Sequence, residues 1–251
     1  MGADDKTILQ NDPKPAVFLT THWSLVLSAA HHDTEQASTA LEHLCGVYWY
    51  PLYAYVRRRG YSSHDAQDLT QAFFARLLER RWVEGADQTK GRFRTFLLTA
   101  MSRFLSDQWD KSNAMKRGGG VAHIPIQIGD AETRYGLEPE NKATPEQWYE
   151  RQWALALLDQ VLKQLQAEYE KEGKSGLFEA LNPALQGRSE SQPYADLASS
   201  LGISVSAVKV AVHRLRKRYR QILRQNIAQT LHNAQDLEEE LRYLMSVLSG
   251  N

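Results

Sequence analysis

The sequence contains a single cysteine, Cys45, among 251 residues. One cysteine excludes an internal disulfide and any metal site built from a CxxC pair. Long apolar runs are also missing, since none approaches the ~20 residues that a membrane-spanning helix requires. The polar, acidic N-terminus lacks the apolar segment of a signal peptide. We therefore expect a cytoplasmic protein without a membrane partner.

Sequence motifs of the common enzyme classes are absent as well. The chain has no GxxxxGKS/T, GxSxG or HExxH pattern. His31 and His32 are adjacent, and adjacent residues do not share a helix face, so they form a weak metal pair. The sequence therefore predicts no enzyme, no catalytic residue, no metal site and no cofactor.

Strand patterns are scarce, and helical periods cover most of the chain. Between the two helical blocks the composition shifts to glycine and proline without a lasting period. We predict an all-α protein in which two helical domains are joined by a flexible linker. Its parts are a mobile leader (1–19), a first domain (20–111), the linker (112–144), a second domain (145–224) and a C-terminal helical extension (225–251).

Capping residues predict where several of these helices begin. Thr144 is followed by Pro145 and by Gln147 three residues after the cap, which is the pattern of a capping box. Ser62 or Ser63 is the expected N-cap of a helix in the first domain. These signals predict helix starts in both domains.

Positive charge is concentrated in one segment, although the chain has a formal net charge of +0. Residues 204–224 hold seven lysines and arginines and no acid. On a helix of 3.6 residues per turn, Val208, Val212, Leu215 and Tyr219 share one face, and most of the cations lie roughly opposite. The segment therefore predicts a helix that packs on its apolar face and exposes its basic face.

The residues just before this segment have the chemistry of a helix-turn-helix. Pro193 starts a helix, Gly202 permits a turn, Ile203 fills it and Ser204 caps the basic helix. A basic helix held by such a turn is suited to the DNA major groove. The alternative is a solvated amphipathic helix whose charges only confer solubility.

A second group of cations alternates with aromatic residues before the linker. The cations are Lys90, Arg92, Arg94 and Arg103, and the aromatics are Phe93, Phe96, Phe104 and Trp109. This mixture suits single-stranded nucleic acid, because charges follow the backbone and rings stack on bases. The alternative is that aromatics at helical spacing belong to a hydrophobic core.

Two carboxylates, Asp65 and Asp68, lie at i and i+3 on one face of a predicted helix. They have no neighbouring base or further ligand in the pattern. A binding surface for a basic protein partner is therefore favoured over catalysis.

Three segments in this order resemble bacterial extracytoplasmic-function sigma factors. The first, similar to their region 2, is RRRGYSSHDAQDLTQAFFARLL, and the second, GRFRTFLLTAMSRFLSDQW, resembles the strand-capturing segment that follows it. The third, YADLASSLGISVSAVKVAVHRLRKRYR, resembles the region 4 helix-turn-helix. The opening THWSLVLSA and the extended tail are similar to the planctomycete-type branch of that family.

The resemblance implies a non-enzymatic subunit that directs RNA polymerase to promoters. The partners that it implies are core RNA polymerase and promoter DNA, with an anti-sigma factor or the chain's own extension as regulator. The residues implied for polymerase binding are Asp65, Gln67, Asp68 and Gln71. Those implied for the minus-10 strand are Lys90, Arg92, Arg94 and Arg103, and those for the minus-35 element are Ser206, Lys209, Val210, His213, Arg214 and Lys217.

The sequence departs from the family pattern at Ser102 and Arg103, where many relatives carry an Arg-Asn pair. This departure implies a thinner positive surface for strand capture and promoter melting.

One alternative function is a stand-alone helix-turn-helix regulator that binds a palindrome as a dimer. Another is an interaction protein that sequesters partners through its C-terminal helix. The acidic tail at 236–248 is also a candidate autoinhibitor that folds back on the basic helix.

Overall fold

The computed structural model describes residues 35–79, 92–114, 131–136, 143–185, 194–228, 230–231 and 233–250. Every regular element in these ranges is an α-helix or a short 3-10 helix, so the all-α prediction is confirmed. The leader at 1–19 and Lys90 lie outside the described residues, as does most of the linker at 112–144. The division into two domains therefore stays a prediction.

Nine α-helices follow one another along the described residues. They are α1 (Glu35–Arg58), α2 (Ser63–Glu79), α3 (Phe93–Ala114), α4 (Ala131–Gly136), α5 (Pro145–Lys171), α6 (Ser175–Leu181), α7 (Tyr194–Leu201), α8 (Val205–Ala228) and α9 (Leu237–Ser249). No single helix of the described residues has the length and apolar content to cross a membrane. The consecutive helices α7 and α8 have that length and apolar content only when they are taken together, and the chain bends by 100° between them.

The capping predictions are confirmed at both sites. Thr144 Oγ1 accepts a hydrogen bond from Gln147 N at 3.2 Å, and Thr144 N donates to Gln147 Oε1 at 2.9 Å. Of the two serines before α2, Ser62 is the cap, because its Oγ accepts from Asp65 N at 3.1 Å. A capping side chain satisfies a backbone N–H that the first helical turn leaves unpaired, which stabilises a helix by about 1 kcal/mol.

The larger hydrophobic core is assembled mainly by α1, α2 and α3. Phe73 of α2 meets Phe104 of α3 edge to face, with ring centroids 5.7 Å apart. Phe93, at the start of α3, packs in the same way on Tyr48 of α1, at 5.6 Å. Phe93 and Phe104 are 5% and 1% exposed, so these two aromatics of the basic segment are core residues, as the alternative reading held.

One long helix, α5, joins this core to a smaller one formed with α6, α7 and α8. Its first half contributes Trp153 and Leu157 to the larger core, and its second half contributes Val161 and Leu165 to the smaller one. At 27 residues the helix is roughly 40 Å long, which is enough to span both cores. Leu223 of α8 packs against both cores as well. The two groups of helices are therefore in direct contact.

The short helix α4 lies within the predicted linker and packs against α1. Arg57 donates two hydrogen bonds to the Glu132 carboxylate, at 2.8 and 3.1 Å, and Tyr53 donates a third. Partial burial would raise the pKa of Glu132, but these hydrogen bonds outweigh it and lower the pKa. The Arg134 guanidinium stands 3.8 Å from the Tyr50 ring centroid. Part of the linker segment is thus fixed on the first helix.

Candidate nucleic-acid interface

The turn between α7 and α8 has the geometry that its sequence predicts. Gly202 has a φ of +64°, which an L-residue with a side chain adopts only with strain. Ile203 N then donates to Ala198 O at 3.0 Å, closing the end of α7. Ser204 caps α8, because its Oγ accepts from Ala207 N at 3.2 Å. The chain bends by 100° between the two helices.

The predicted packing face of α8 is confirmed. Val208, Val212 and Leu215 are 0%, 2% and 0% exposed, and Tyr219 is half-buried. The prediction that Ile203 fills the turn is wrong, because this side chain is 38% exposed. The buried residues nearest the turn are Leu197 and Ala198 of α7 and Val208 of α8, whereas Ile203 remains at the surface.

The opposite face of α8 presents all six residues predicted for the minus-35 element. Each of them is exposed: Ser206, Lys209, Val210, His213, Arg214 and Lys217. Val210 has half of its surface free, which leaves an apolar contact beside the cations. Among the described residues, none forms an ion pair with Lys209, Arg214 or Lys217. Their charges are therefore available to an external anion.

Three of the other four cations of α8 have structural partners. Arg218 forms two hydrogen bonds with Glu168 of α5, at 2.6 and 2.7 Å, and these raise the pKa of its guanidinium. Arg216 Nη2 donates to Ala184 O at 2.9 Å. Arg224 pairs with Glu238 of α9. The basic segment is thus divided between residues that face outward and residues that hold α8 against its neighbours.

The polymerase-binding residues implied by the resemblance lie at the start of α2. Asp65 is exposed, and Gln67 and Asp68 are partly exposed. Asp68 Oδ2 is 3.1 Å from His64 Nδ1, on the solvent side of the helix. Gln71 is 4% exposed, so its side chain is not part of this surface. The structure therefore leaves three of the four side chains accessible near the start of α2.

The residues implied for the minus-10 strand are separated by the structure. Arg103 is exposed on the outer side of α3. Arg92 is partly exposed just before the helix, and Arg94 in its first turn is 3% exposed. Trp109 is 63% exposed, so it is the aromatic of this segment that presents most ring surface to solvent. Arg103 and Arg94 therefore belong to different environments although both lie on α3.

Arg94 belongs to a cluster of four charged residues, Arg92, Arg94, Glu150 and Glu240, which we call the arginine–glutamate cluster. Arg94 donates through Nε to Glu150 Oε2 at 2.7 Å and through Nη1 to Glu240 Oε1 at 2.6 Å. Arg92 Nη2 lies 2.5 Å from Glu240 Oε2, an ion pair without hydrogen-bond geometry. Burial would lower the pKa of Arg94, but the charges of Glu150 and Glu240 outweigh it and raise the pKa.

Sequence reasoning did not identify Glu150 or Glu240 as partners of these arginines. Glu240 is 0% exposed and lies among the leucines of α9, three residues after Leu237 and four before Leu244. A carboxylate on the apolar side of an amphipathic helix is the one local signal that could have marked it, since such a group needs a buried partner. The identity of that partner, 146 residues away along the chain, has no local signal.

The acidic C-terminal helix does fold back on the rest of the chain, but not over the basic face of α8. α9 contacts α5 and the C-terminal end of α8, where Glu238 meets Arg224. Lys209, Arg214 and Lys217 are left exposed. The contact predicted from charge complementarity is therefore made at a different place.

The fold defines an all-α protein that presents a basic helix on a tight turn, as helix-turn-helix proteins do. Residues 50–114 match the family model of sigma-70 region 2, which covers the end of α1 and all of α2 and α3. This match supports a sigma-70 family sigma factor, a class that binds RNA polymerase, takes part in promoter recognition and is not enzymatic. The chain matches no curated protein and no solved structure.

Proposed function

We propose that the chain is an extracytoplasmic-function sigma factor of the planctomycete-type branch, acting in the cytoplasm. In this proposal α1 to α3 form region 2 and α5 to α8 form region 4. The observation that carries it is the combination, in one chain, of the region 2 match at 50–114 with an exposed basic helix downstream. An anti-sigma factor is a further expected partner.

In this function the outward face of α8 reads the minus-35 element. The residues near the start of a recognition helix meet base edges, and cations along it meet phosphates. Ser206 and Val210 lie in the first two turns of α8 and are the residues proposed to lie nearest the bases. Lys209, Arg214 and Lys217 are exposed cations without ion pairs among the described residues, and His213 lies on the same face. This division supports base contacts for the first pair and phosphate contacts for the cations.

The start of α2 is the proposed docking surface for core RNA polymerase. Asp65, Gln67 and Asp68 offer two carboxylates and an amide to a basic partner. Gln71 is buried and would support this surface through packing. For the minus-10 strand, Arg103 is the most exposed of the predicted residues that the structure describes.

The experiment that tests this function is binding to bacterial core RNA polymerase, followed by run-off transcription from the DNA upstream of the protein's own gene. Binding and a discrete transcript are the expected results. No binding, together with a dimer that retains a palindromic DNA fragment, would replace the proposal with a stand-alone helix-turn-helix regulator. If the protein bound neither polymerase nor DNA, the remaining alternative would be an interaction protein that sequesters partners through its C-terminal helix.

Asp68→Arg is expected to weaken core polymerase binding by about tenfold or more, because it places like charge against a basic partner surface. Asp68 is exposed, and its contact with His64 is solvent-facing, so the fold should be retained. The measurement is the dissociation constant for core polymerase, with circular dichroism as the check of folding.

The matched control for this charge reversal is Glu179→Arg, on the exposed side of α6. It should bind core polymerase as the unchanged protein does. Equal affinity of Asp68→Arg and Glu179→Arg would show that polymerase docks elsewhere.

Lys209→Ala is expected to reduce the salt dependence of duplex DNA binding. Each phosphate neutralised contributes a slope of about −0.9 to log K against log salt, so the slope should become less negative by about that amount. The measurement is a salt titration of binding to promoter duplex. Lys163→Ala on α5, which removes an exposed lysine paired with Asp159, is the control. An unchanged slope for Lys209→Ala would remove this residue from the interface.

A further inference from the structure

The C-terminal helix α9 rests on α5 and α8 and reaches α3 through its side chains. Leu244 is 0% exposed, and Leu237 and Leu241 pack against the larger core. At the end of the helix, Arg151 of α5 donates to Leu248 O at 3.4 Å. α9 is therefore docked along its length, and one of its faces is part of the hydrophobic core.

The polar centre of this docking surface is the arginine–glutamate cluster. The Arg94 guanidinium lies 4.0 Å from the Trp153 ring centroid and 5.2 Å from that of Tyr243. Tyr149 fixes the backbone beneath it by donating to Arg94 O at 2.9 Å. Stacked rings and two carboxylates thus enclose one guanidinium, and two of the contacting side chains, Tyr243 and Glu240, come from α9.

The carboxylate of Glu240 holds the position that a phosphate group would need. Guanidinium groups bind carboxylates and phosphates through the same N–H donors. Arg92 and Arg94 converge on Glu240, each within 2.6 Å of one of its oxygens. Glu240 itself is 0% exposed, and Arg94 is 3% exposed, so an external phosphate cannot reach Arg94 while α9 is docked.

We infer that α9 is an intramolecular competitor of the promoter strand: Glu240 occupies Arg92 and Arg94, and the minus-10 strand binds them only after α9 has left. The inference rests on the proposed function, because it concerns regulation of the strand-binding segment. It leaves the minus-35 face of α8 accessible in the closed form. Duplex recognition would thus be available before strand capture.

Competition of this kind lowers the apparent affinity for single-stranded DNA by the fraction of molecules that are open. Weakening the Glu240 contact must therefore raise both the open fraction and the affinity. Glu240→Gln keeps the shape of the side chain and removes its charge. Glu239→Gln, at the neighbouring exposed position, makes the same chemical change outside the cluster and is the control.

The experiment measures binding of a fluorescein-labelled dT15 oligonucleotide to the full chain and, in parallel, hydrogen exchange of the α9 amides. For Glu240→Gln we expect about tenfold or greater tightening of dT15 binding and faster exchange in α9. Glu239→Gln should match the unchanged protein in both measurements. Saturating dT15 should also accelerate α9 exchange in the unchanged protein, and this result needs no variant to fold.

Two results would overturn the inference. One is α9 exchange in the unchanged protein that stays equally slow at saturating dT15. The other is Glu240→Gln that exchanges faster in α9 but binds dT15 no more tightly than Glu239→Gln. Failure of the proposed function is a separate result, since it is read from core polymerase binding and transcription. A chain that transcribes with α9 still protected would retain that function and lose this inference.

Discussion

Val208→Asp is expected to destabilise the protein by about 3–5 kcal/mol and to abolish duplex DNA binding. Val208 is 0% exposed in the smaller core, so the substitution buries a carboxylate without a partner in place of an apolar side chain. The lost stability affects the packing of the smaller core, which fixes the orientation of α8 relative to its neighbouring helices. The measurement is urea unfolding followed by circular dichroism, together with DNA binding in the absence of urea.

Val210→Asp, two residues further along the same helix, is the matched control. Val210 is 50% exposed, so the free energy of unfolding should change by no more than about 0.5 kcal/mol. Its DNA binding should still weaken, because the new carboxylate is placed on the face that meets the negatively charged DNA. Equal destabilisation by the two variants would contradict the division of α8 into a packing face and a DNA-facing side.

Arg94→Ala is the second substitution with a large expected effect, a loss of about 3 kcal/mol or more in the free energy of unfolding. Removing one partner of a buried ion pair leaves the other charge uncompensated. Glu240, at 0% exposure, would retain only its pair with Arg92, and Glu150 would lose its hydrogen bond. The stacking of the guanidinium on Trp153 would also be lost.

Arg103→Ala provides the comparison on the same helix. Arg103 is exposed and forms no ion pair with another described residue, so its removal should change stability by about 0.5 kcal/mol at most. Urea unfolding of both variants separates the two environments. Equal stability of Arg94→Ala and Arg103→Ala would mean that the arginine–glutamate cluster contributes nothing to the fold.

The two faces of α8 were predictable because they depend only on the helical period. Once Val208, Val212 and Leu215 face a core, Lys209 and Arg214 must point roughly away from it. The caps at Ser62, Thr144 and Ser204 were predictable for a similar reason. A capping hydrogen bond joins residues three apart, so the local sequence is sufficient to predict it.

It was not predictable which cations of α8 pair within the protein and which are free to bind an external anion. Arg216 and Arg218 have the same local composition around them as Lys217, yet both bind neighbouring elements while Lys217 faces solvent. The same holds for Gln71, whose burial on α2 depends on how that helix is rotated against the larger core. Helical period gives relative angles within one helix and no information about its neighbours.

The sequence by itself determined that the chain is helical, which side of its basic helix packs, and where three of its helices begin. Only the tertiary structure decided that α5 joins two cores, that α9 docks on α5 and α8, and that Arg94 is buried between Glu150 and Glu240. The physical reason is the distance along the chain over which each kind of interaction acts. Caps and periods act over a few residues, whereas the packing of helices and the pairing of buried charges join residues far apart in the chain.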